Sequence, residues 1–462
     1  MNTLALAWRN LLRNRRRSLM TLVAMVLGLV AVLLFGGYIR DITYALQSDF
    51  VRLSGHLQIQ HRDYFRFGSG NPTAYGVRDY ERVVAIVERD PVLAPMLAVV
   101  TPTLQFGGVA GNFAAGLSRT VYVQGAVVEE QNLMRAWNAY GLRILSQRLP
   151  LSGTAPDTAV IGTGVARVLQ LCRALDVADC ESTPAESNVQ GAALPDDIAA
   201  LSQPGPATAR PPGGPRIEIL ATNARGAPNV AAVEVLRAEF QGIKELDDVY
   251  VGLHLSQAQR LIFGSAPPQV TAIALQLHQT AQMPVARERL EELLRTELRD
   301  EPLGIVDYET LNPFYGQTLG MFVAIFGFIS VLIGAIVLFT VSNTMSMAVV
   351  ERTTEIGTLR AIGLRQGGIR AMFVTEGILL GCFGAVLGTL AALLLAWFIN
   401  QLGLTWIPPG RVEPVPLAVS VAGEYGLIVP SGIGLVIVAA LSAMLPAARA
   451  SRMNIVDALR HV

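Results

Sequence analysis

Charge is scarce in this 462-residue chain. Asp, Glu, Lys and Arg make up 16% of it, against about 25% in an ordinary soluble protein. Lysine is nearly missing, with Lys244 its single instance, so the positive charge is almost all arginine, and formal net charge is zero. A neutral chain lacks the basic footprint that nucleic-acid binding requires. There are 5 histidines. His56 and His61 stand five apart with no acidic or thiol partner at ligand spacing, and His254 and His278 fall in strand-like runs. A metal site needs three or four convergent ligands, so no metal ligands are assigned. The phosphate-binding pattern Gly-x-x-x-x-Gly-Lys-Ser/Thr occurs nowhere, and Gly162-Thr163-Gly164 does not continue into it. A nucleophile elbow and an HExxH motif are missing as well. No catalytic or cofactor-binding residues are assigned, and the chain is expected not to hydrolyse ATP itself. Of three cysteines, Cys382 lies in an apolar run, while Cys172 and Cys180, eight positions apart, flank the acidic stretch Ala174–Asp179. In an oxidising compartment that pair forms a local disulfide; otherwise it is two unrelated thiols.

Hydrophobic residues, by contrast, make up 52% of the chain and concentrate in four runs. Ser18 to Ile39 is 22 residues without a charge, where about 20 span a bilayer core. The next runs from Thr310 to Val350, with its apolar heart at Leu319–Val341. The third runs from Ala371 to Asn400, interrupted only by Glu376, and the fourth covers Tyr425–Ala448. Transmembrane helices are predicted at 18–39, 318–345, 371–400 and 425–448. The first is longer than the usual ~7–15-residue apolar core of a signal peptide and lacks a convincing small-x-small cleavage site, so it reads as a retained anchor.

Arginine sets the orientation. Arg9, Arg13, Arg15, Arg16 and Arg17 precede the first run; Arg352, Arg360, Arg365 and Arg370 fall in loop 346–370; Arg449, Arg452 and Arg460 fall in tail 449–462. The loop 401–424 has only Arg411, beside Glu413 and Glu424. Both termini and loop 346–370 are therefore expected in the cytoplasm of a multi-pass inner-membrane protein. Segment 40–317 is expected outside, in the periplasm of a cell with two membranes. Within residues 1–17, Leu4, Trp8, Leu11 and Leu12 fall on one helical face and Arg9, Arg13 and Arg16 on another. That pattern suits an interfacial amphipathic helix, or alternatively a plain basic overhang.

Segment 40–317 alternates strand and helix patterns. Strands are predicted at Ser54–Gln60, Val99–Phe106, Arg119–Gly125, Glu218–Thr222, Asn229–Phe240, Asp248–Leu253 and Val270–Leu277, and helices at Asp79–Arg89 and Pro284–Glu297. Ala159–Leu171 reads as a strand end, a glycine turn and a helix. The fold class is thus an α-helical membrane protein with four transmembrane helices plus an α+β extracytoplasmic domain, in two lobes, inserted between helices 1 and 2. Residues 183–215 are rich in Pro, Gly, Ala and Ser and read as a flexible insertion.

In the second cytoplasmic loop, Glu351-Arg352-Thr353-Thr354-Glu355-Ile356-Gly357-Thr358-Leu359-Arg360-Ala361-Ile362-Gly363 is the most informative stretch. Ile356 and Leu359 share a helical face, and Glu351 and Glu355 share another at i,i+4 with no nearby base to neutralise both. Gly363 supplies a helix stop. The segment is either a docking element or a solvated turn between spans. Glu376, near the start of the third span, is expected to face headgroups. Gly377, Gly381, Gly384 and Gly388 form a small-residue stripe suited to close helix packing, within the chain or across a dimer.

That loop resembles the corresponding loop of the FtsX/MacB/LolC-LolE family of ABC transporter permeases. The opening Ala7-Trp8-Arg9-Asn10-Leu11-Leu12-Arg13-Asn14-Arg15-Arg16-Arg17 and the ending Pro446–Ala450 with Ile455–Arg460 resemble it too. The likeness extends to the four-span layout and is looser in the external domain, where 183–215 looks like an addition. It implies a MacB-like periplasmic domain and a permease dimer, homomeric or with a paralogue, on a cytoplasmic ABC ATPase dimer that holds the ATP and Mg. In this mechanotransmission scheme nucleotide-driven motion passes through the spans to the periplasmic domain. Carried over, Glu351, Arg352, Glu355, Ile356, Gly357, Leu359, Arg360, Ala361 and Gly363 would couple to the ATPase. The implied function is lipoprotein release or related export, with a periplasmic cargo or accessory protein; the alternatives are a MacB-like drug or peptide exporter and a signalling subunit controlling a periplasmic enzyme.

Overall fold

The computed structural model describes residues 9, 13, 15–142, 147–177, 214–242, 244–407 and 414–453. The expected insertion (to residue 213), Cys180, most of the N-terminal segment and the Ile455–Arg460 motif lie outside the described residues.

Along the chain, helix α1 (Arg15–Ser54) leads into strand β1 (Leu57–His61), the one-turn helix α2 (Tyr64–Phe67) and α3 (Tyr80–Arg89). Strands β2 (Leu97–Asn112) and β3 (Leu117–Ala126) follow, then α4 (Val128–Arg135), β4 (Thr158–Gly162) and α5 (Thr163–Val168). Next come β5 (Arg216–Thr222), β6 (Pro228–Glu239), β7 (Tyr250–His254), α6 (Leu255–Phe263), β8 (Ala272–Leu277), α7 (Met283–Thr296) and β9 (Leu303–Asp307). The chain closes with α8 (Tyr308–Leu311), α9 (Pro313–Glu351), α10 (Thr353–Ala361), α11 (Gln366–Gln401), the short pair β10 (Thr405–Trp406) and β11 (Val415–Pro416), and α12 (Tyr425–Arg452). Contacts divide it into a helical unit (Met1–Leu46, Phe314–Trp406, Val415–Val462) and a β-rich unit (Gln47–Pro313, Ile407–Pro414).

In the helical unit, α1, α9, α11 and α12 are each long and apolar enough to cross a membrane. Helices α1, α11 and α12 run beyond their charge-free segments, because a helix needs backbone hydrogen bonds to persist and not apolar side chains; α1 continues through Arg40 and Asp41 to Ser54. Their shared core holds Met25, Leu29, Leu33, Val337, Val341, Leu380, Leu435 and Ala439. The glycine stripe of α11 faces this core. A Cβ on Gly377 would meet the Ala439 carbonyl oxygen at 2.9 Å, and one on Gly381 would meet Val436 Cα at 3.0 Å. One on Gly384 or Gly388 would meet Met25 or Leu29 of α1 at 3.0 Å. These glycines let backbones approach within a single chain.

The β-rich unit does not split into the two expected lobes. Its strands form one sheet in the order β3-β7-β4-β6-β5-β2-β8-β1-β9, with β2 also paired to β3. Strand β2, 16 residues long, pairs with β8 over Leu97–Thr103, with β3 over Thr103–Asn112 and with β5 over Val109–Gly111. A strand shared among three partners joins both halves, and a continuous apolar core runs from Leu57 and Ile59 through Leu104 and Phe106 to Ile161, Val235 and Val251. Strand alternation sets the two faces: Leu104 and Phe106 point to that core, and Thr101, Thr103, Gln105 and Gly107 to the other side.

Candidate functional site

The candidate site is the α10 segment between the second and third long helices. Arg352 and Thr353 are buried where α9 ends, and Thr353 Oγ1 donates to the Val350 carbonyl at 2.7 Å. Helix α10 then turns one face inward. Ile356 is 1% exposed among Val349, Ile369, Met372, Phe373, Ala447 and Ala450, a burial worth about 1.5–3 kcal/mol. Gly357 is buried beside it, Leu359 and Arg360 are half-buried, and the Arg360 guanidinium donates to the Met453 carbonyl. The helix ends as its sequence suggests. Gly363 takes the left-handed conformation (φ 103°), its N–H donates to Arg360 O at 3.0 Å, and Leu364 N–H reaches back to Leu359 O at 3.0 Å.

These placements revise the expected docking face. Ile356, Gly357 and Arg352 are spent inside the chain, because the apolar ridge that looked free covers the ends of α11 and α12. The outward face carries Thr354, Glu355, Thr358, Ala361 and Ile362, with Gly363 beyond. Ile362, 79% exposed, is the apolar side chain sequence reasoning passed over. Its signal was available: it lies six residues, not three or four, from Ile356 and so falls off the inward face. Glu376 is also revised. Instead of facing headgroups it is 4% exposed and paired with Arg352, guanidinium to carboxylate 3.5 Å, with both side chains about equally buried. An acid in a low-dielectric setting is drawn to a base, and Arg352, the residue immediately before α10, supplies it.

Glu351 and Glu355 are neutralised after all, from far away in sequence. Arg13 Nη2 donates to both carboxylate oxygens of Glu355 at 2.6 and 2.8 Å. Arg17 makes a two-pronged pair with Glu351 at 2.7 and 2.5 Å. Arginines four apart meet carboxylates four apart in reverse order, so two helical segments lie antiparallel along one ladder. At the other end of α1, Arg40 donates to Glu424 at 2.9 Å, Tyr44 to the same carboxylate at 3.0 Å, and Ser420 to Asp41 at 3.1 Å. From Arg17 to Arg40 the helix rises about 35 Å, enough to clear a hydrocarbon core of about 30 Å. Charged belts at both ends of an uncharged bundle define a membrane protein.

Other assigned residues fall apart from this site. Cys172 is buried in the β-rich unit and Cys382 is an exposed free thiol in α11. Among the described residues no group of three His, Cys, Asp or Glu could hold a metal ion. His56 is wholly buried in the β-rich unit: its Nδ1 accepts from the Leu277 N–H at 3.0 Å, which leaves Nε2 to donate to Thr280 Oγ1 at 3.1 Å. Burial lowers its pKa to about 4, so it stays neutral.

A four-helix apolar bundle with a short helix between its second and third spans makes the class an α-helical membrane protein. Comparison gives that class a family: residues 324–455, from α9 to just past α12, match the FtsX-like permease C-terminal family. The chain is 29% identical over 217 residues to an ABC transporter permease of Methanocaldococcus jannaschii (46% of this chain, 51% of that one). It is 27% identical over 230 residues to the lipoprotein-releasing system transmembrane protein LolC of Neisseria meningitidis (48% and 53%). It is 28% identical over 192 residues to the macrolide export ATP-binding/permease protein MacB of Neisseria gonorrhoeae (41% and 27%). The chain thus spans about half or less of the length of these relatives. Over these stretches it is similar to ABC transporter permeases of the FtsX/MacB/LolC type.

Proposed function

We propose that the chain is the permease subunit of an ABC transporter. A separate cytoplasmic ATPase dimer binds and hydrolyses ATP with Mg, and its motion enters through α10. The exposed Ile362, flanked by Ala361, Thr358 and Glu355 on the face α10 leaves uncovered, supports this reading. An isoleucine left in water on a helix whose inner face is fully packed gains most from a partner's apolar pocket. The permease works as a dimer in the inner membrane with both termini and α10 in the cytoplasm and the β-rich unit outside. The work done there is lipoprotein release or related export; similarity to a lipoprotein-releasing LolC supports this. The match to a MacB over 192 residues favours drug or peptide export as the second reading.

Copurification tests the coupling. The full chain, drawn from the membranes of its own host, should carry an ABC ATPase with it, and Ile362→Glu should release that ATPase while the permease keeps its melting temperature. An Ile362→Glu chain that retains the ATPase, with full ATP hydrolysis, contradicts the assignment. A neighbouring gene for a membrane-fusion protein decides for export over lipoprotein release.

A further inference from the structure

A cavity of about 470 Å³ opens on the face of the sheet opposite the apolar core, wholly within the β-rich unit. It falls within the 300–1,000 Å³ range of ordinary small-molecule sites. Tyr64, Phe65, Tyr122 and Leu311 give it aromatic and aliphatic walls, Gly107 leaves it open, and Gln60 reaches it from β1. No Asp, Glu, Lys, Arg or His lines it. Its space has a definite origin in the strand register. Gly107 lies directly opposite Tyr122 in the β2–β3 pairing. A Cβ placed on Gly107 would meet nothing within 4 Å. A strand position that usually packs a side chain against its cross-strand neighbour is empty here.

Gln60 supplies the polar anchor. It is 2% exposed, yet its Oε1 has no hydrogen-bond donor. Its orientation is not arbitrary. The Ser54 carbonyl can only accept, so Gln58 turns its Nε2 there at 2.8 Å, and the Gln58 Oε1 then accepts from Gln60 Nε2 at 2.7 Å. The relay leaves a carbonyl oxygen at its free end, and flipping either amide would set two acceptors or two donors face to face. A buried acceptor without a donor keeps its full desolvation penalty, which a ligand donor would recover. We propose that this cavity binds an uncharged, largely apolar molecule carrying one hydrogen-bond donor, a hydroxyl or N–H, seated on Gln60 Oε1 and against the Tyr122 ring. The proposal rests on the sheet alone and not on the coupling role of α10.

N-phenyl-1-naphthylamine is uncharged, apolar and has a single N–H; 1-benzylnaphthalene has nearly the same shape and no donor. Binding of both to the full chain in lipid nanodiscs is measured by equilibrium dialysis, with empty nanodiscs subtracted. The amine should bind saturably, one per chain, and about tenfold more tightly than the hydrocarbon. Gly107→Phe should abolish binding of both, and Gln60→Leu should erase the preference between them. If Gly107→Phe does not fold, Gly107→Val fills the same space with a strand-forming side chain and carries the same expectation. Ile362→Glu, which tests the coupling reading, should leave probe binding unchanged. Equal uptake by the wild-type and Gly107 variants would mean lipid partitioning alone and overturn the site. Equal affinity for the two probes would mean that Gln60 Oε1 is met by water only, and overturns it too.

Discussion

Single residues decide how closely the membrane helices meet. In a helix interior, Gly→Ala ordinarily stabilises by about 1 kcal/mol. At Gly377 the sign should reverse, since the new Cβ would press on the Ala439 carbonyl oxygen and Ala443 Cβ, both at 2.9 Å. At Gly434 of α12 nothing lies within 4 Å, so the ordinary gain applies. Thermal unfolding of the two variants in one detergent should move the melting temperature in opposite directions. The sequence showed the glycine spacing but not which helix each glycine meets, because spacing defines a face and not its neighbour. Glu376 illustrates the same limit. Its position near a span's end suggested headgroups, whereas Arg352, 24 positions earlier, pairs with it inside. Removing one partner of a buried pair costs about 3–5 kcal/mol, so Glu376→Ala should lower the melting temperature far more than Arg352→Met/Glu376→Leu together.

At the scale of elements, the antiparallel ladder of Arg13 and Arg17 on Glu355 and Glu351 ties the N-terminal segment to α9 and α10. Its pairs are largely exposed, with 49% and 47% of the Glu355 and Glu351 side chains open to solvent. Each is therefore worth about 0.2–1 kcal/mol and is screened by salt. A double-mutant cycle on Arg17→Ala and Glu351→Ala should return a coupling in that range that shrinks toward zero in 1 M salt. The carboxylates were legible as an i,i+4 pair, but their partners were not, because no local rule links positions more than 300 apart. The inward and outward faces of α10 depend on the same kind of distant packing. Short-range features fared better. The Gly363 stop, the strand β1, the alternation of β5 and the helix over Tyr80–Arg89 are set within a few residues, and the structure shows all of them.

At the scale of the whole molecule, four charge-free runs were enough to foresee four long apolar helices, because the bilayer imposes length and composition directly. Eight of the nine strands of the β-rich sheet were foreseen, with the edge strand β9 missed, but its unity was not, since β2 joins partners that are distant in sequence. Its stability should depend on pH through His56. A histidine whose folded pKa is depressed binds its proton more readily when unfolded. Stability is therefore full above the unfolded value of about 6.5, falls as pH drops toward the folded value of about 4, and changes no further below it. The loss over that window is about 3 kcal/mol. His56→Gln should be less stable at pH 8 and should flatten this part of the profile in calorimetry.

The central claim is that α10 is where an ATPase grips this permease. Photocrosslinking in intact cells tests it most directly, with a benzoylphenylalanine at Ile362 and, as control, one at Phe339, which is 74% exposed on the apolar surface of α9. The account expects an adduct at position 362 with a protein carrying an ABC nucleotide-binding domain, and none with that protein at 339. No such adduct at 362, or the same adduct from both positions, would contradict it.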